Sequence, residues 1–174
     1  MNIIPLSSAD SHGVAHLLDL CFGPARARRT AAIVRQGAQR LPQASFAAVE
    51  GGAILGSVDV HALDWVHPGG TVHPLAWLGP LVSHPDRRGE TIGVQLMDRA
   101  VAALDAMGLA TALIGDAPYY QRWGFSADAT TAWLMPGPVD RARLLLRATT
   151  PALFSGPAML RPATALPAGT RHAA

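Results

Sequence analysis

The stretch from Trp77 to Phe125 constrains the chain more than any other, because it spells strand, turn, helix and strand without interruption. An apolar run from Trp77 to Val82 ends at His84-Pro85, and a short basic turn follows, Arg87-Arg88-Gly89-Glu90-Thr91-Ile92-Gly93. Apolar residues then fall at Ile92, Leu96, Ala100, Ala103 and Met107, the spacing of one helix face. Gly108 stops that helix as a C-terminal glycine does. A second apolar run, Leu109 to Ile114, leads into Asp116-Ala117-Pro118-Tyr119-Tyr120. Two strands joined through a helix predict parallel neighbours with a right-handed crossover.

The turn carries the chemistry. A helix start presents amide donors without intrahelical partners and a partial positive charge, which suits a phosphate or pyrophosphate. Arg87 and Arg88 add guanidinium groups able to bond the same anion in pairs, and glycine at Gly89 and Gly93 allows close approach of the backbone. On the turn alone, an ordinary strand-to-helix loop with solvated arginines is the default reading, since short glycine patterns recur by chance.

Taken whole, the stretch resembles the GNAT-type N-acetyltransferases, and within them a bacterial subgroup of small predicted acetyltransferases. The strand end Leu81-Val82-Ser83-His84-Pro85 and the motif Arg88-Gly89-Glu90-Thr91-Ile92-Gly93 match that family's cofactor loop. Tyr119-Tyr120-Gln121-Arg122-Trp123-Gly124-Phe125 matches its later aromatic signature. The resemblance implies acetyl-CoA as cosubstrate, with no metal. It implies a pyrophosphate cradle over Arg87, Arg88, Gly89, Glu90, Thr91, Ile92, Gly93 and Val94, and pantetheine contacts at Leu81, Val82 and Ser83. It also implies that the strand ending at His84 and the strand ending at Ile114 splay apart, with Tyr120 near the thiol. Thr91 departs from the family, which has glycine there. Its branched Cβ threatens close approach, while its hydroxyl is placed to cap the helix or bond a phosphate.

The rest of the chain fits an α+β domain: a mixed, mostly antiparallel sheet of about seven strands with helices on both faces, the three-layer acyl-CoA N-acyltransferase fold that the resemblance implies. Residues 1 to 6 read as a strand, and Asp10 and its neighbours as a cap for a helix running to Phe22. A second helix is predicted from Ala25 to Gln36, and a hairpin from Ser45 to Asp64 closed by Gly51-Gly52. Strands are also predicted at Thr130–Met135 and Arg143–Ala148. The 174 residues suit one domain, 1–161, followed by a loose tail, 162–174, and the apolar segment Ala152 to Leu160 is a surface for covering a neighbour, so the chain is read as a monomer or homodimer.

With 49% apolar and 15% charged residues the chain is not disordered, and no apolar run is long enough for a bilayer. The opening residues lack a secretory pattern, which places the expectation in the cytoplasm. A net charge of +2 argues against a nucleic-acid partner. Every basic residue other than histidine is arginine, and Arg26, Arg28, Arg29, Arg35 and Arg40 cluster in a segment without acids. Solvent is the default partner for such a run, and an anionic acceptor the sharper one.

Amide formation from a thioester requires a neutral amine, a stabilised oxyanion and a proton for the departing thiolate. The resemblance gives the last role to Tyr120, although a tyrosine there also reads as core. His61 and His73 are candidates to accept the amine proton, since imidazole titrates in the useful range. Asp116 reads as the cap of the helix beginning at Pro118, and Cys21 as an inert thiol on a buried face. Asp64, His67 and His73 follow no known metal spacing. The acceptor is thus expected to be a small-molecule or peptide amine. A CoA-binding sensor without turnover, on the same fold, is the alternative that Thr91 motivates.

Overall fold

The computed structural model describes residues 1–164. Its strands are β1 (Asn2–Pro5), β2 (Phe46–Glu50), β3 (Ala53–Val66), β4 (Val72–Ser83), β5 (Ala110–Ile114), β6 (Trp133–Leu134), β7 (Leu144–Arg147) and β8 (Ala158–Pro162). The helices are α1 (Ser11–Phe22), α2 (Thr30–Val34), α3 (Ile92–Ala106) and α4 (Ala117–Tyr120). The strands form one mixed sheet in the order β1-β2-β3-β4-β5-β7, with β8 on the far half of β3 and β6 beside β8. Only β4–β5 and β6–β8 run parallel, in keeping with the α+β expectation.

Local signals explain most of these elements. The Asp10 carboxylate accepts from the backbone N–H of His12 and Gly13 at 3.1 and 3.0 Å and so caps α1, and Gly23 ends it at φ 78°. Gly51 and Gly52 both hold positive φ in the β2–β3 hairpin, a conformation a side chain would resist. On one face of the sheet Ile92, Leu96, Met97, Ala100 and Leu104 of α3 pack on Val58, Val60, Ala62, Ala76 and Leu78. On the other face Leu17 and Leu18 of α1 meet Val82, while Val34 of α2 joins Leu63, Leu75 and Trp77. Trp77 is buried and its indole N–H donates to the Ala31 carbonyl at 3.1 Å, tying α2 to β4. Burying a side chain of this size stabilises by about 2–3 kcal/mol.

The structure differs from the sequence expectation at α2 and toward the end of the chain. The predicted helix Ala25–Gln36 is split into a 3-10 turn, Pro24–Arg28, and the short α2, because Arg29 is extended and bonds the Phe22 carbonyl at 3.1 Å. The Thr30 hydroxyl then donates to the Pro138 carbonyl at 2.6 Å, which sets the direction of α2 from outside the helix. The apolar segment near the end, read as surface, folds back as β8 and pairs with Leu63–Val66 of β3. With it the tail boundary moves, since Pro162 ends β8 and the Ala163 N–H donates to the Ala62 carbonyl at 3.0 Å. The rest of the predicted tail, 165–174, lies outside the described residues.

Candidate active site

The site begins where two strands part. Pairing of β4 with β5 covers Leu75↔Ala110, Ala76↔Thr111 and Trp77↔Ala112 and then stops. Beyond that point β5 stays with β7 through Ile114↔Leu144, while β4 continues to Ser83 beside β3. The two residues Gly79 and Pro80, joined by a cis peptide, stand opposite the single residue Asp59 and form a bulge in β4. The gap opens into a cavity of about 800 Å³. Leu81, Val82 and Ser83 border it along β4, Gly93 borders it at the start of α3, and Tyr119 and Tyr120 border it from α4.

The start of α3 leaves the backbone N–H groups of Ile92, Gly93 and Val94 without intrahelical partners, the first helical bond running from Gln95 to Thr91. The residues implied as a diphosphate cradle do not all face it alike. Arg87 is bound to Glu90 and to Glu50, the latter at 2.9 Å, so its guanidinium is already engaged. Arg88 and Gly89 are exposed, and Arg88 forms no ion pair among the described residues. Glu90 is occupied by Arg87, and the side chain of Ile92 is buried in the core beneath α3's first turn. A Cβ on Gly93 would come within 3.0 Å of the Tyr119 hydroxyl, which explains glycine there.

Thr91 adopts φ 57°, the left-handed region that a β-branched residue resists. Its hydroxyl does not cap α3; it donates to the carbonyl of Glu90 at 2.7 Å and accepts from the Gln95 amide at 3.2 Å. The backbone keeps the conformation that glycine would adopt freely, at a strain of about 1–3 kcal/mol.

Tyr120 packs edge-on against Tyr119 and Phe125 and borders the cavity. Burial pushes its phenol up to about 12, with the neighbouring Tyr119 adding to the rise, so it carries its proton at neutral pH. Asp116 occupies the N-cap position of α4 but its side chain makes no capping bond, and the residue borders the cavity.

Neither histidine borders the cavity. His61 is buried directly across from Trp77, with Nε2 3.8 Å from Asp59 and Nδ1 without a hydrogen-bond partner. Burial is the main cause lowering its pKa, and the guanidinium groups of Arg35 and Arg40 add to it against the pull of Asp59. His73 lies at the opposite end of β4 from the bulge, against Trp65 and Phe154. Cys21 is exposed rather than buried, its thiol 3.6 Å from the Ser83 carbonyl at the end of β4. Among the described residues no group of three or more histidine, cysteine or acidic side chains could hold a metal ion, and no helix is long and apolar enough to cross a membrane. Sequence reasoning took Asp116 as a helix cap and Arg35 as one of a run facing solvent or an anionic acceptor; the tertiary fold brings both to the cavity by joining α2 to the end of β5.

The comparisons agree with this geometry. No curated protein matches the chain. A GNAT family N-acetyltransferase from Escherichia coli, YhbS, in complex with CoA, is 22% identical over 91% of this chain and 88% of its own, with a TM-score of 0.68. A GNAT family acetyltransferase from Brucella melitensis, in complex with acetyl-CoA, is 25% identical over 85% of this chain and 96% of its own, with a TM-score of 0.59. The acetyltransferase (GNAT) domain profile matches residues 2–127, which takes in the hairpin, the parted strands, the free amides of α3 and Tyr120. By that match, the chain belongs to the GNAT acetyltransferase family.

Proposed function

We propose that the protein transfers the acetyl group of acetyl-CoA to the primary amine of an acceptor by direct attack, without a covalent enzyme intermediate. The observation that carries this reading is the parting of β4 from β5 beside a helix start with free amides, with a protonated tyrosine on the same cavity. The residues fit the cosubstrate: Gly93 adds no side chain of its own at the start of α3, and among the described residues β4 beyond Trp77 has no strand on its β5 side. The amides of Ile92, Gly93 and Val94, with Arg88, hold the diphosphate. Leu81, Val82 and Ser83 offer main-chain bonds to the pantetheine amides. When bound, acetyl-CoA supplies an activated acyl group.

Tyr120 holds the proton that the departing thiolate requires. Asp116, which borders the cavity and whose carboxylate caps no helix, is the better placed group to take the amine's proton, since neither His61 nor His73 borders it.

The test is release of CoA thiol from acetyl-CoA in the presence of a panel of amines. Thiol release that requires both the amine and Tyr120 supports the transferase. The left-handed Thr91 favours one other reading, a sensor that binds CoA and turns nothing over. Saturable binding with no release on any amine would establish that reading instead.

A further inference from the structure

The cavity is charged in a way the whole chain is not. Arg26, Arg28, Arg29, Arg35 and Arg143 border it against Asp116 and Asp140, five positive charges to two negative. That excess of three exceeds the net +2 of the entire sequence. Most of these groups have partners. Arg26 is held by Asp19 at 2.7 Å, Arg29 by the Phe22 carbonyl and the Phe22 ring, and Asp140 accepts from the Ala142 N–H.

Arg35 has none. It is half-buried and makes no hydrogen bond or ion pair among the described residues. The nearby buried acid, Asp59, is already bound by Arg40 through two parallel bonds of 2.8 and 2.9 Å and by the Ser45 hydroxyl. Burial lowers the pKa of Arg35, Asp59 pulls it back, and Arg26 and Arg40 press it down further. A partly desolvated guanidinium facing two others, with no anion of its own, is complete only with a ligand that brings one.

That anion is not the diphosphate. The free amides of α3 lie at the Ser83 end of β4, where Gly56, the partner of Ser83, meets Ile92, whereas α2 sits on Trp77 through the bond to Ala31. Six residues of strand, the bulge among them, separate those ends, at most about 20 Å. Arg35 follows α2 directly, on the Trp77 side.

We infer that the acceptor is a small amine carrying a carboxylate or phosphate group, which Arg35, together with Arg28, holds at the Trp77 end of the cavity. The inference rests on the acetyltransferase reading and names its substrate class. A guanidinium fork takes either oxyanion with two parallel bonds, and the amine at the other end of the molecule is left toward the parted strands.

The experiment measures calorimetric binding of four amines to the CoA-saturated protein at fixed ionic strength. They are 4-aminobutyrate, 3-aminopropylphosphonate, butylamine and 1,4-diaminobutane. At least one of the two anionic amines is expected to bind about tenfold or more tightly than butylamine, and the pair shows which oxyanion is preferred. Arg35→Gln is expected to remove the preference and Arg28→Gln to weaken it, with the melting temperature of each variant as the control for folding. Equal binding of all four, or a preference that survives both substitutions, overturns the inference. Thiol release is followed in parallel. An anionic preference without any release sinks the transferase reading and leaves the anion site standing. Release from butylamine or 1,4-diaminobutane as fast as from the anionic amines does the reverse.

Discussion

A Cβ placed on Gly115 would lie 2.2 Å from Cε2 of Tyr120, so the tyrosine ring fills the space that any side chain at 115 would need. Gly115→Ala therefore drives the ring out of place. Turnover should fall by about 100-fold, since misplacement of about 1 Å has that effect on a reacting group. Steady-state rates with acetyl-CoA and the best amine found would show it, and full activity in the Gly115→Ala variant would detach Tyr120 from the chemistry.

Removing only the hydroxyl is the complementary change. Tyr120→Phe should lower kcat by about 10²- to 10⁴-fold while leaving the KM for acetyl-CoA near its starting value. Because the phenol is pushed up to about 12, kcat of the unaltered enzyme should not fall on the alkaline side below about pH 10. A descending limb near neutrality would assign the proton to another group.

Thr91 offers a substitution that should improve the protein. Glycine adopts φ 57° without strain, so Thr91→Gly should add about 1 kcal/mol of stability, the relief exceeding glycine's greater unfolded-state freedom. The apparent affinity for acetyl-CoA should rise with it, as the branched Cβ leaves the cradle. Denaturant melts and a cofactor titration of the same variant would decide both points. Loss of stability would mean that the Glu90–Thr91–Gln95 bonds outweigh the backbone strain.

The buried His61 gives stability a dependence on pH. Its folded pKa is depressed, chiefly by burial, so above the ordinary imidazole value of about 6.5 both states are neutral and its contribution is complete. Below that value the unfolded chain takes up a proton that the folded chain refuses, and stability falls as pH falls, by up to about 1.4 kcal/mol per pH unit. Melts from neutrality to mild acid should therefore fall more steeply for the unaltered protein than for His61→Leu. Parallel curves would show that Asp59 compensates the charge in full.

Much of the central unit was legible in the residues. The apolar spacing from Ile92 to Met107 and the glycines at 51 and 52 state their conformations locally, and the structure adopts them within a residue or two. The break between Arg28 and Thr30 was not legible, because the force that bends the chain there comes from Pro138, over a hundred positions away (separation 108). Cys21 read as buried on helix periodicity, yet the last turn of α1 overhangs the end of β4 and leaves the thiol in the open. The oxyanion wall is a sharper case. The arginines were visible as a run, but a run does not distinguish those met by Asp19 or Asp59 from Arg28 and Arg35, which find no partner among the described residues. That distinction exists only once β3, α1 and α2 are assembled.

The return of β8 to the sheet has a consequence for how the molecule comes together. Arg161 reaches Asp64 across a separation of 97 positions, at 2.7 Å. Until so large a loop closes, the outer half of β3 stays a bare hydrogen-bonding rim beside Trp65 and Leu63, open to pairing with a foreign strand. Long-range pairings of this kind are among the last to form and the slowest. Nascent or heat-stressed copies of this protein would first aggregate along that rim, away from the start of α3.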